Sequence, residues 1–129
     1  MKLTKAFLIL NVIMWLPYGI ACIVNPGLPT GFSGLEMTSA TAMTEIRSMY
    51  GGVQSAMGVM CLMAVFASSL VRPALGAVAF VFSGLAIARV VGFLLDSSGS
   101  EYTYGAMGFE AVGAAVSMYL FVKQPLHTP

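Results

Sequence analysis

The chain has 129 residues, 58% of them hydrophobic and 9% charged, with six Lys and Arg against five Asp and Glu. A soluble domain is about 45–50% apolar and about 25% charged. The composition therefore excludes an ordinary soluble enzyme, and it excludes disorder, which requires low hydrophobicity. A net charge of +1 provides no basic field for nucleic acid.

At roughly 20 apolar residues per membrane span, the chain has room for about four spans and little else. The expected class is all-α: an integral membrane four-helix bundle, antiparallel, forming a single domain over residues 1–129. The first apolar run, Ala6 to Val24, follows the basic start MKLTK. It exceeds the roughly 7–15 residues of a signal-peptide core. No small-x-small cleavage site follows it, and in Gly19-Ile20-Ala21-Cys22 a glycine stands where a lipoprotein signal wants a bulky aliphatic. The run reads as span one (residues 6–24), kinked at Pro17.

Residues 25–43 form a turn-rich loop, in which Ser33-Gly34-Leu35-Glu36 has the spacing to cap a short surface helix. Span two covers the apolar run Met49 to Val71, its helix starting near Thr41 or Thr44 (residues 44–71). Span three runs from Ala74 to Leu95, after Arg72-Pro73, where proline suits a first helical turn. Span four is the run Tyr104 to Val122 (residues 103–122). Ser98-Gly99-Ser100-Glu101 has capping-box spacing and predicts a start near Gly99.

On an alternating path Lys2, Lys5, Arg72 and Lys123 fall on one side, and Glu36, Asp96 and Glu101 on the other. Basic residues stay cytoplasmic. Both termini are then expected in the cytoplasm of a bacterial inner membrane, with the 25–43 loop outside.

An ionisable side chain within a span costs at least ~2.5–3.5 kcal/mol on insertion scales and marks a candidate site. Arg47, Arg89 and Glu110 are such residues, with Glu45, Gln54 and Asp96 near them. At about 1.5 Å rise per residue, Arg89 lies roughly 10 Å below Asp96 and Glu110 roughly 13 Å below Glu101. Similar depth on adjacent helices predicts an Arg89–Glu110 pair, or Glu110 placed between Arg89 and Arg47. Arg47, Tyr50 or Gly51, and Gln54 recur at helical spacing on one face, and Glu45 lies about 200° around from Arg47. Gly51-Gly52 removes bulk beside Tyr50, so that a helix or a ligand can approach closely. On span four, Ala106, Glu110, Gly113, Ala114 and Ser117 form a small, polar strip. Gly84, Ala88 and Gly92 form a small-residue seam of the kind that packs helices, and Gly113 belongs with these packing glycines. The polar residues of the three spans are expected to meet in the outer half of the bundle.

Other signals are weaker. The two cysteines, Cys22 and Cys61, lie in apolar runs without CxxC spacing, so no disulfide framework or zinc site follows. The single histidine, His127, reads as solvated tail and excludes His-ligated haem and a Ser-His-Asp arrangement inside the bundle. Met57, Met60, Met63 and Cys61 lie close together, and soft ligands suit Cu(I). Methionine also fills gaps in cores, and the spacing drifts around the helix. No cofactor or metal is therefore expected. Asn11 reads as interhelical glue, and Trp15 and Tyr18 as aromatics near a polar edge. Tyr50 with one carboxylate is too little for acid–base chemistry, so no reaction centre emerges.

The stretch Thr44-Glu-Ile-Arg-Ser-Met-Tyr-Gly-Gly-Val-Gln54, with Asn25-Pro26, Arg89 and Glu110, resembles a bacterial family of four-span membrane proteins, domain of unknown function 4345. The resemblance covers almost the whole chain. It implies Glu45, Arg47, Tyr50, Gly51, Gly52, Arg89 and Glu110 as family-marking positions, and it implies no activity.

Three functions are compatible with these residues. The first is binding or moving a small polar or anionic amphiphile, such as a lipid headgroup, a quinone-like ring or a small acid. Arg47 and Arg89 would hold its anionic group, and Tyr50 and Gln54 would donate hydrogen bonds. The second is an accessory subunit of a larger membrane complex, with the charges pinning helix register. The third is a proton-coupled carrier, which at this size requires a homo-oligomer. The lipid bilayer is the partner common to all three.

Overall fold

The computed structural model describes residues 2–125, and all of its regular structure is helical. His127 lies outside the described residues. The order is α1 (Lys2–Val24), α2 (Thr30–Ser33), α3 (Ala40–Ile46), a π-helical segment (Arg47–Gly52), α4 (Val53–Phe66), a 3-10 turn (Ser68–Leu70), α5 (Val71–Asp96) and α6 (Glu101–Lys123). Four helical stretches are long and apolar enough to cross a membrane: Lys2–Val24, Ala40–Phe66, Ser68–Asp96 and Glu101–Lys123. The chain divides into two compact units, one ending at Ser68 and one beginning at Ser69.

In the first unit α1 packs on α4 and on the π segment. Its buried positions Thr4, Leu8, Asn11, Trp15, Gly19 and Cys22 recur every three to four residues, the period of a helix with one covered stripe. Helix α1 begins at Lys2, not Ala6, because a helix end is set by backbone bonding and not by hydropathy. It continues through Pro17. The contacts run in opposite order along the two helices. Cβ atoms built on Gly19, Gly51 and Gly58 would meet Ser55, Ile23 and Leu16 respectively, each at 2.5–2.6 Å. These glycines let two backbones approach to a distance that no other residue permits.

Asn11 does not bridge helices. It donates to the Phe7 carbonyl at 2.8 Å and accepts from Trp15 Nε1 at 2.8 Å. Both partners lie four residues away on α1, so the buried amide is satisfied within its own helix. Trp15 is thus a core residue, with its polar atom turned inward to Asn11, and not an edge aromatic.

The connection to α3 also differs from expectation. Ser33 closes α2 and does not open a helix, because Gly34 adopts φ +75° as a left-handed C-cap. Residues 34–38 carry no regular structure, and Ser39 caps α3 by accepting from Ala42 N–H at 3.1 Å. The second span stops at Phe66, not Val71. Ala67 is extended (φ −118°, ψ 107°), and α5 starts at Val71, not Ala74. Apolar residues continue across this break, so a hydropathy profile passes over it.

In the second unit α5 and α6 pack on each other. Thr103, Glu110 and Ser117 are buried at seven-residue intervals on α6, the spacing of a helix–helix seam. The predicted strip of α6 is thus a packing face. A Cβ on Gly113 would lie 2.8 Å from the Phe82 ring, and one on Gly76 would lie 3.1 Å from Phe121. The cap of α6 is Ser100 and not Ser98: its Oγ accepts from Thr103 N–H at 3.1 Å. Ser100→Ala is expected to cost about 1 kcal/mol, the usual loss for an N-cap, read as a lower thermal midpoint in detergent. An unchanged midpoint would show that the cap adds nothing here.

At the other glycines expected to pack, a Cβ would find room within the unit. Gly84 meets nothing within 4 Å, Gly92 only Asp96 of its own helix at 3.8 Å, and Gly52 only the Arg47 carbonyl at 3.8 Å. The i, i+4 spacing of Gly84, Ala88 and Gly92 makes a seam geometrically available, and within the unit the close contacts of α5 fall elsewhere, at Gly76 and at Phe82 against Gly113.

Candidate functional site

Polar groups gather at two places, one in each unit. In the second unit Arg89 on α5 and Glu110 on α6 form a two-pronged ion pair. Arg89 Nε donates to Glu110 Oε2 at 2.8 Å, and Arg89 Nη2 donates to Oε1 at 2.6 Å. This fork geometry is the strongest carboxylate–guanidinium arrangement. The Glu110 side chain is 5% exposed and that of Arg89 27%. The Arg89 guanidinium also lies 5.7 Å from the centroid of the Tyr102 ring. Both charges are thereby matched among the described residues, and two apolar helices are held in one register.

The other two arginines with fixed partners bind backbone. Arg47 Nε donates to the Ile23 carbonyl at 3.0 Å. Arg72 Nη1 donates to the Gln124 carbonyl at 2.7 Å and the Phe121 carbonyl at 3.3 Å, with its guanidinium 4.4 Å from the Phe121 ring centroid. The last four carbonyls of a helix have no partner within it. Arg47 supplies one for α1, and Arg72 supplies them for α6.

Between Arg47 and Gly52 the chain winds as a π-helix, with Val53 N–H bonding to the Ser48 carbonyl five residues back. Such segments recur at functional sites. The wider winding removes the premise on which Arg47, Tyr50 and Gln54 were placed on one face. Gly51 is buried against Ile23 of α1, Arg47 is exposed, and Tyr50 and Gln54 are half-buried.

Beside this segment lies an open groove of about 360 Å³, lined by Leu35, Glu36, Ala42, Glu45, Ile46, Met49 and Tyr50. Its walls are mostly apolar, and its charged lining is two carboxylates. Helix α3, held at its start by the Ser39 cap, carries Ala42, Glu45 and Ile46 into it. The segment after α2 contributes Leu35 and Glu36 to the lining. Glu36 and Glu45 are exposed and have no ion pair or hydrogen bond among the described residues.

Of the residues singled out from the sequence, Glu45 and Tyr50 therefore share the groove, and Arg89 and Glu110 share an ion pair. Gln54 stands on α4, and Arg47 opens the π segment with its side chain bonded to the end of α1, neither of them lining the groove. Asp96 is the exposed last residue of α5. Sequence reasoning missed Glu36 as a groove residue. Its signal was a carboxylate in an apolar-flanked loop, but only the path of residues 34–39 brings it to the groove that Glu45 also lines. Among the described residues no group of three His, Cys, Asp or Glu side chains is placed to hold a metal ion.

A family model described as Domain of unknown function (DUF4345) matches residues 3–121 of the chain. No curated protein and no solved structure matches it.

Proposed function

We propose that this chain, which belongs to the DUF4345 family, is a multi-pass membrane protein that holds a small polar amphiphile in the groove between α3 and the segment before it. The observation that carries this reading is the groove itself, whose lining is mostly apolar and includes two carboxylates and a phenol. An amphiphile needs both kinds of surface, and a small-molecule site combines apolar walls with a few polar groups.

The placement of the groove supports the reading. Ala40–Phe66 has 27 residues and spans about 40 Å, against about 30 Å of hydrocarbon. In our reading this surplus of about seven residues lies at the Ala40 end and extends into the headgroup zone, carrying the α3 side of the groove with it. In our reading the four spans alternate in direction as an antiparallel bundle. Both termini lie on the cytoplasmic side, because Lys2, Lys5, Arg72 and Lys123 fall there. The groove then opens on the outer face of a bacterial inner membrane. The Arg89–Glu110 pair serves the frame in this reading and not the ligand.

The test is native mass spectrometry of the protein released gently from its own membranes. A bound small amphiphile is expected, and it should be lost in Ala42→Trp, which fills the groove from its wall. Equal retention in the variant would refute the site. A stoichiometric second polypeptide in place of a small molecule would instead establish an accessory subunit. The open faces at Gly84, Gly105 and Gly108, where a Cβ would meet nothing within 4 Å, favour that second reading.

A further inference from the structure

We infer that the occupant of this groove is a monocationic amphiphile, an ammonium or quaternary ammonium head on an apolar tail; the inference rests on the groove being the ligand site. Three observations converge on it. The charged residues lining the groove are both acidic, Glu36 and Glu45, and no basic residue lines it. Neither carboxylate is matched by a cation among the described residues, in a chain where the buried carboxylate Glu110 is matched. An aromatic ring, Tyr50, also lines the groove.

Carboxylates beside an aromatic ring make a cation site, because the ring face attracts positive charge and is not penalised by the bulk of methyl groups on nitrogen. Leu35, Ile46 and Met49 provide a surface for a tail, and methionine adapts to different chain shapes. Charge complementarity also selects among membrane amphiphiles. A fatty acid or a sulfate ester would bring a third negative charge to Glu36 and Glu45. A phosphocholine lipid carries a phosphate beside its ammonium, and no lining residue is present to neutralise it. A free single-tailed cation meets both halves of the groove without either conflict.

The test uses the full chain in phosphatidylcholine nanodiscs, titrated calorimetrically with three eight-carbon probes and corrected against empty discs. The probes are octyltrimethylammonium, octyl glucoside and octyl sulfate. Octyltrimethylammonium is expected to bind about tenfold more tightly than octyl glucoside, the combined effect of two exposed carboxylates. Octyl sulfate is expected to bind least. In the double variant Glu36→Gln/Glu45→Gln the cation should fall to the level of the glucoside. Both positions are exposed, so the fold should persist, checked by an unchanged circular dichroism spectrum. Ala42→Trp should abolish binding of the cation. Equal binding of all three probes, preference for the sulfate, or a cation affinity unmoved by the double variant would overturn the cation inference. If those probes still lost binding in Ala42→Trp, the groove would stand as an amphiphile site. Binding of none of the probes would overturn both.

Discussion

Glu110→Gln, with Arg89 kept, is expected to destabilise the second unit by about 3–5 kcal/mol, because it leaves a guanidinium on an apolar helix pair without its carboxylate. Arg89→Gln is expected to be costly for the converse reason, since Glu110 is the more deeply buried partner. Leu at both positions should restore most of the loss, because a well-packed apolar pair is often as stable as a buried ion pair. The measurement is a double-mutant cycle on unfolding in mixed micelles, with sodium dodecyl sulfate as denaturant. Two single losses that simply add in the double variant would show that the forked hydrogen bonds at 2.6 and 2.8 Å contribute no coupling. The result also decides between the roles open to these residues. Strong coupling with intact ligand retention makes the pair part of the frame.

Gly58→Ala should be among the most damaging single methyl groups in the first unit. Its Cβ would fall 2.6 Å from Leu16 Cβ, 2.7 Å from Leu16 N and 2.8 Å from Leu16 Cα. Two of these three atoms are backbone, so no side-chain rotation relieves the clash and α1 must move away from α4. Overpacking of this kind costs about 1–3 kcal/mol. Gly84→Ala is the natural control. It meets nothing within 4 Å, and replacing a mid-helix glycine by alanine should be neutral or gain about 0.5–1 kcal/mol. Comparison of the two midpoints in the same micelles separates packing from helix propensity. Equal midpoints would mean that the close approach of α1 and α4 is not maintained in solution.

These two pairs of residues also mark what could be read before any coordinates. The spans were legible because hydropathy is a property of composition, and the interior charges of α5 and α6 were legible because depth follows from counting. Arg89 and Glu110 stand seven and nine residues from helix ends that the loop residues announce. The glycine seams were not legible, because a small residue declares only that something can come close. Gly19 and Gly58 are buried by their counterparts on a distant segment, whereas Gly84 and Gly92, better spaced on paper, leave room for a Cβ within their unit. Asn11 was misjudged for a related reason: an amide in an apolar helix needs a partner, and the carbonyl four residues back is as good as one across the interface. The groove escaped because two of its seven lining residues, Leu35 and Glu36, lie in a loop, and because Tyr50 and Gly51 have different surroundings than an α-helical wheel assigns them.

That last point follows from the winding between Arg47 and Gly52. In an α-helix five residues turn through about 500°, which would carry Gly51 well around the axis from Ile46. Both are buried, because the π winding uses those five residues for roughly a single turn. The stretch from Ala40 to Phe66 thus holds one residue more than a straight α-helix of the same path. This surplus residue works like a spacer in a gear train. It lets α4 keep its glycine mesh with α1 while α3 is phased to present Ala42, Glu45 and Ile46 elsewhere. Shortening the stretch by one residue would restore an uninterrupted α-helix at the cost of that phase, turning one of the two surfaces away from what it now faces.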